Sequence, residues 1–244
     1  MPVGTWERTL PVRSSKGWPE PAKWQACAFC GKPAHALAAE PGSNEGSSGT
    51  LSRNILNGAE PESHPWFTGA YSIAAHHLLC SESMSGDEDW ARACWYFGYD
   101  INRAENGVFL PTVPAVACEL HVPVHRGPHS GGWAFDLDLA YPEAVNKLLE
   151  GVSRSVDRGG FCATPTALTN TLDRLSRDIL GKVAKGAWTL TTDGLDYLPG
   201  GNGCSGALSI PGKPRLPCPR GRRHGARHGT TQKALPRRAL QVGA

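Results

Sequence analysis

Apolar residues recur at helical spacing in three stretches of the chain. Trp90, Cys94 and Phe97 fall on one face behind the acidic triplet Asp87-Glu88-Asp89, whose charges suit the positive end of a helix, so a helix is predicted over 87–99. From Pro142, a favourable first helical residue, Val145, Leu148, Leu149, Val152 and Val156 form a second stripe, and Leu168, Leu172, Leu175, Ile179 and Val183 a third. Gly107-Val-Phe-Leu110 is a short apolar run between Asn106 and Pro111, which reads as a strand after a turn. Residues 188–192 and 195–198, separated by Asp193-Gly194, read as a hairpin with a tight turn. The polar stretch 40–50 reads as a loop, and from Pro199 the chain is rich in Gly, Pro and Arg with little regular pattern.

Composition sharpens this into one body with extensions. The chain has 244 residues, enough to bury a sizeable core, and its 29 Gly and 20 Pro imply many turns. Residues 1–24 form an extended lead-in that Trp6, Trp18 and Trp24 can pin to a body beginning near Cys27. The first twenty residues lack an apolar core of the kind that directs general secretion, and no window has the eighteen apolar residues of a membrane span. The formal charge of +3 conceals an asymmetry. From Pro211 onward there are nine Lys and Arg and no Asp or Glu, leaving a body of about −6 and a tail of +9. A basic tail can neutralise backbone phosphates without sequence choice, or it can be a solvated extension; its lack of aromatic residues argues against base stacking.

The candidate chemistry lies in histidines. His76 and His77 are adjacent in Ala75-His76-His77-Leu78, and Asn106, His125 and His129 follow downstream. Phosphodiester hydrolysis needs a base to activate water, a cation to hold charge developing on oxygen, and a group that fixes the base. Imidazole serves as ligand or base near neutral pH, and consecutive side chains of a strand point to opposite sides. His76 can thus turn to a metal while His77 turns to water. Taken singly, a histidine is more often a structural residue than a ligand, and Asn106-Gly107 alone is a turn.

Ala75-His-His-Leu78, the Gly98-to-Asn102 and Asn106-to-Pro111 segments, and His125-Arg-Gly-Pro-His129 before an amphipathic helix resemble the AHH group of HNH nucleases. These ββα-metal, or His-Me finger, enzymes occur chiefly as toxin domains of bacterial polymorphic and type VI secretion systems. The resemblance runs over about 64–155. It implies that His76, His125 and His129 bind one divalent ion (Mg2+, Zn2+, Mn2+ or Ni2+), that His77 is the general base, and that Asn106 orients the base or the backbone carrying it. Gly127 and Pro128 disfavour a helix through the 125/129 pair. His121, four residues before His125, offers a slipped alternative across Pro123, and the 125/129 pair is preferred. Arg103 and Arg126 flank the motif and could clamp phosphate.

Cys27-Ala-Phe-Cys30-Gly31 has the form of half a zinc site. Cys204 and Cys218 would complete a structural Zn2+ site; His35, or His224 and His228, are alternatives, as is a self-contained site of Cys204, Cys218, His224 and His228. Cys80, Cys94, Cys118 and Cys162 have no paired spacing and read as small buried residues.

The expected fold is α+β: a ββα-metal core with helical additions and an irregular basic tail. Its divisions are 1–63 (lead-in and knuckle), 64–157 (nuclease core), 158–198 (helix and hairpin) and 199–244 (tail). The expected function is a metal-dependent endonuclease, DNA rather than RNA being the substrate, that acts as an antibacterial toxin. Such a toxin is made in the bacterial cytoplasm, exported without a signal peptide by a secretion carrier or adaptor, active in the target-cell cytoplasm, and neutralised by a cognate immunity protein without membrane involvement. The alternatives are a restriction or mobile-element HNH enzyme, which lacks support from any sequence-reading module, and a zinc-stabilised nucleic-acid-binding or interaction module without catalysis.

Overall fold

The stretch carrying the paired histidines is strand β1 (Ile73–His77), antiparallel to β2 (Gly107–Pro111), with Ile73 opposite Pro111 and His77 opposite Gly107. This is a computed structural model, and it describes residues 18, 27–32, 40–191 and 234–244. Facing pairs share a side of the ribbon, so His76 lies with Val108 and His77 with Gly107 on the other face. Val108 and Leu110 enter a large core, whereas Ile73, Ala75 and Phe109 enter a smaller one. Both faces are therefore covered, and the ribbon reads as nearly continuous burial rather than as alternation.

Gly107 is not a turn residue. Its φ of −128° is extended, and Asn106 before it ends a single 3-10 turn, Ala104–Asn106. A Cβ there would stand 2.6 Å from Leu51 Cδ1 and 2.8 Å from Ile55 Cδ1, so a larger residue would force those two side chains to move. Those two side chains belong to α1 (Ser48–Ile55), which starts inside the stretch predicted as loop. Ser47 caps it by accepting from Thr50 N at 3.3 Å. Only Leu51 and Ile55 mark its buried face, too sparse a pattern to show in the sequence.

The three predicted helices form. In α2 (Glu88–Phe97), Asp87 Oδ1 accepts from Asp89 N and Trp90 N at 2.9 and 3.0 Å, and Gly98 ends the helix at φ +71°. Helix α3 (Pro114–Leu120), absent from the sequence reading, is a short helix between Pro114 and a left-handed His121. A two-residue ribbon, β3 (Trp133–Ala134) with β4 (Leu139–Ala140), leads into α4 (Tyr141–Asp157). Helix α5 (Thr166–Ala184) follows, and both long helices bury their apolar stripes in the large core. Mixed helices with small antiparallel ribbons confirm the α+β, HNH-like class.

The first strand of the hairpin predicted over 188–198 pairs with β3. Thr189 N donates to Trp133 O at 2.8 Å and Trp133 N to Thr189 O at 3.1 Å, so this segment extends the β3 edge; residues 192–198 lie outside the described residues. Of the three lead-in tryptophans, Trp18 is buried in the large core, with the Arg92 guanidinium 5.7 Å from its ring centre; Trp6 and Trp24 are outside the described residues.

Residues 234–244, predicted as part of an irregular tail, lack regular structure but pack on the body. Gly243 N donates to Gly107 O at 2.8 Å and Phe109 N to Ala244 O at 2.9 Å, along the edge of β2. Trp66 Nε1 donates to Pro236 O at 2.8 Å, while the Arg238 guanidinium lies over the Trp66 ring and touches His64 Nε2. Arg238 is thus committed to the body rather than left for phosphate. Burial, and then the Arg238 charge, push His64 down to about 4. An unfolded histidine titrates near 6.5, so the unfolded chain takes up this proton first. His64 accordingly gives stability that is complete above about pH 6.5 and is lost as pH falls towards 4. Urea unfolding should show a lower midpoint at pH 5 than at pH 7, with a smaller difference in His64→Gln; equal differences in the two proteins would contradict this.

Candidate active site

Three imidazoles converge where the end of β1 meets the start of α4. His76 Nδ1 lies 3.2 Å from His125 Nε2, which lies 3.1 Å from His129 Nε2. No helix joins the last two. His125 N donates to Pro111 O at 2.8 Å, fixing that residue to the end of β2; Gly127 then reverses the chain at φ +89°, and Pro128 opens the single 3-10 turn His129–Gly131. Gly127 and Pro128 therefore bring the rings together by a loop, and glycine is suited to the left-handed backbone at 127. His121, the slipped alternative, is exposed and is not among the grouped donors.

Outer hydrogen bonds assign the tautomers. The buried Tyr141 hydroxyl donates to Leu78 O at 2.7 Å and so accepts from His76 Nε2 at 3.1 Å. That places the His76 proton on Nε2 and leaves Nδ1 bare. Glu82 Oε1 lies 3.0 Å from His129 Nδ1 and accepts a hydrogen bond from it, with Nε2 turned to the other rings. His125 Nδ1 is buried without a hydrogen-bond partner among the described residues, and its Nε2 faces the other two rings. Burial, then His125 and His129, hold His76 well below the ordinary histidine value; burial, then His129, holds His125 down at about 4. Both rings are neutral at pH 7, as ligation requires.

His77, on the other side of the strand, is placed by a different residue from the one predicted. Its Nε2 lies 3.0 Å from Asn102 Oδ1, so the ring donates there and Nδ1 is left to accept a proton. Asn102 is itself held: its Oδ1 accepts from Ser47 N at 2.6 Å, and its Nδ2 donates to Glu45 O and Asp100 Oδ1 at 2.9 and 3.0 Å. Burial lowers the His77 pKa, opposed by the Asn102 bond and the charges of Glu82 and Asp100.

Asn106 does not touch the His77 ring. It is fully buried and holds the backbone just beyond it, accepting from Leu79 N at 2.8 Å and donating to Leu79 O at 3.2 Å and Ile101 O at 2.9 Å, while Ser176 of α5 donates to its Oδ1 at 2.8 Å. The second of the two predicted tasks, orienting the backbone that carries the base, fits these contacts. Asn106→Ala leaves several buried groups unpaired at about 1–3 kcal/mol each, so a loss of about 3 kcal/mol or more is expected in denaturant unfolding. A loss below about 1 kcal/mol would remove Asn106 as the pin of this corner.

Two predicted phosphate ligands stand differently. Arg103 Nε lies 2.9 Å from Asp173 Oδ1 and 3.3 Å from Glu105 Oε2, so this cation joins the Ala104–Asn106 turn to α5. Arg126 is half-buried next to His125. The sequence reading missed Asn102, Glu82, Tyr141 and Ser176 as partners; the only signal was Asn102 closing the motif segment Gly98-Tyr-Asp-Ile-Asn102. Cys27 and Cys30 form the expected turn, but Cys204, Cys218, His35, His224 and His228 lie outside the described residues.

The model of a nuclease family of the HNH/ENDO VII superfamily, named for a conserved Ala-His-His, matches residues 58–179. The chain belongs to this AHH family. Ala-His-His occurs in it once, at Ala75-His76-His77, in β1 and facing the centre described above. Searches of curated proteins and of solved structures return no match. An AHH nuclease is a phosphodiester hydrolase acting on nucleic acid, and its superfamily is metal-dependent. The residues fit such an ion. Four-coordinate nitrogen ligands at about 2.0–2.1 Å stand about 3.3 Å apart, close to the His76–His125 and His125–His129 separations seen here. His76, His125 and His129 would hold it. No helix among the described residues is long and apolar enough to cross a membrane.

Proposed function

We propose that this AHH nuclease is an endonuclease that cuts DNA in preference to RNA and serves as an antibacterial toxin. In this reading His77 is the general base. The observation that carries the catalytic part is the placement of consecutive residues on opposite faces of β1: His76 towards the other two imidazoles, His77 towards Asn102. His76, His125 and His129 would hold a divalent ion, which would supply Lewis-acid stabilisation for the scissile phosphate and the departing 3′ oxygen. His77 Nδ1 takes a proton from water as its oxygen attacks phosphorus and the bond to the 3′ oxygen breaks. Asn102 keeps the other ring proton on Nε2, and so keeps Nδ1 available. Asn106 fixes the corner at Leu79 that sets the direction of both rings.

The net +9 charge from Pro211 onward favours a polyanionic substrate. The toxin reading rests on the family resemblance and includes delivery by a secretion carrier or adaptor, action in the target-cell cytoplasm, and restraint by an immunity protein whose acidic face covers the basic substrate surface. The test incubates purified full-length protein with plasmid DNA and with RNA, with Mg2+ or Mn2+ and with chelator, and expresses it in a bacterial host. Metal-dependent nicking of DNA, slower loss of RNA, and growth arrest are expected. RNA cut faster than DNA would reverse the substrate assignment, and normal growth on expression of active enzyme would remove the toxin role.

A further inference from the structure

We propose that Cys27, Cys30 and Cys162 together hold a structural zinc ion, separate from the histidine centre. The sequence offers only the first half, Cys27-x-x-Cys30-Gly31; the fold brings Cys162 to it from 135 residues away, with Sγ of Cys27 and Cys162 3.7 Å apart. The three sulfur atoms lie within 4.8 Å of one another. A zinc–sulfur bond of about 2.3 Å in a tetrahedron sets the sulfurs about 3.8 Å apart, whereas a disulfide requires about 2.05 Å. The Cys27–Cys162 separation matches the first.

Both sides of the site are built to meet. On one side, Gly31 N donates to Cys27 O at 2.9 Å and Cys27 N to Lys32 O at 2.7 Å, with Gly31 at φ +70°, a closed turn that points two thiols the same way. On the other, Gly159 leaves α4 at φ +71° and Cys162 N donates to Gly159 O at 3.1 Å. A Cβ on Gly159 would stand 2.4 Å from Cys30 Cβ, so glycine is needed for the α4–α5 loop to seat against the turn. Phe97 of α2 lies between Phe29 and Phe161, with ring centres 4.9 and 6.4 Å away, supporting both segments. Cys162 is therefore not the core filler that its isolated position suggests; it is half-buried at this junction, unlike Cys80, Cys94 and Cys118, which are buried. Zinc is the ion expected of clustered thiolates, and it would staple residues 27–32 to the turn between the two long helices.

The test measures zinc in full-length protein purified under reducing conditions without added metal. One zinc equivalent should survive His125→Ala and disappear in Cys162→Ser, and replacement by Co2+ should give thiolate-to-cobalt charge-transfer absorption that Cys162→Ser abolishes and Cys162→His retains at lower intensity. Should Cys162→Ser not fold, the wild type still decides: Cys30 and Cys162 should resist alkylation, mapped by mass spectrometry, until a chelator is added. Absence of this zinc from the wild type, its full retention by folded Cys162→Ser, or equal labelling with and without chelator would overturn the proposal.

Discussion

Replacing His77 by alanine is expected to slow DNA cleavage by about 10²–10⁴-fold, the range a positioned general base supplies, while leaving metal binding at the histidine centre unchanged. The ring lies at the end of β1, with its Nε2 on Asn102 and its Nδ1 the one nitrogen free to accept a proton, so the substitution removes a proton acceptor but none of the three converging ligands. Asn102→Ala should cost less, on the order of 10–100-fold, as outer partners of functional histidines do, because the ring remains but can turn or change tautomer. The double variant should be no slower than His77→Ala alone, since Asn102 acts through that ring. Cleavage within about twofold of wild type in folded His77→Ala would remove His77 as the base, and an additive double variant would give Asn102 a task of its own.

What the sequence showed of this arrangement depended on how much each residue's task is local. The helices at 87–99, 142 onward and 168–183 carried their own apolar stripes, and all three form. Helix α1 shows just two buried residues and is defined by what it packs on, the bare Cα of Gly107, so it was legible only from the fold. The same contact explains why Asn106-Gly107 looked like a turn: glycine there answers a close approach from α1, not a left-handed φ. The histidines were legible because adjacent residues on a strand must diverge, an argument that needs no tertiary information. Their supports were not. Asn102 reaches His77 across 25 residues, Tyr141 reaches His76 across 65, and Ser176 reaches Asn106 across 70, and nothing in spacing marks such pairs. Arg103 beside the motif likewise meets Asp173 of α5 across 70 residues, a pairing its spacing does not mark.

Replacing His125 by alanine is expected to abolish both cleavage and the response of stability to Mg2+ or Mn2+, a pairing that separates a ligand from the base. The ring contributes one of the three converging nitrogens and, within the described residues, nothing else by hydrogen bond: its Nδ1 is buried without a partner. Its loss therefore leaves the fold of the ion-free protein largely intact. In the wild type, His76 Nδ1 and His129 Nε2 each stand 3.1–3.2 Å from His125 Nε2, a spacing that suits an ion between them. Saturation to 100 times the dissociation constant should then stabilise the wild type by about 2.7 kcal/mol, and His77→Ala by the same amount. Mg2+ and Mn2+ are chosen because clustered thiolates hold them poorly, so the shift reports the histidine centre and not Cys27, Cys30 and Cys162. Removing the ion takes away several kcal/mol of charge stabilisation, which at about 1.4 kcal/mol per tenfold amounts to 10³-fold or more in rate. Chelated wild type should recover on adding metal; His125→Ala should not. Tyr141→Phe tests the same centre from outside, since losing the hydroxyl that accepts the His76 proton should weaken metal binding by about 10–100-fold while excess metal restores activity. A metal-induced stability shift that persists undiminished in His125→Ala would place the ion elsewhere, and the convergence of the three rings would then be packing alone.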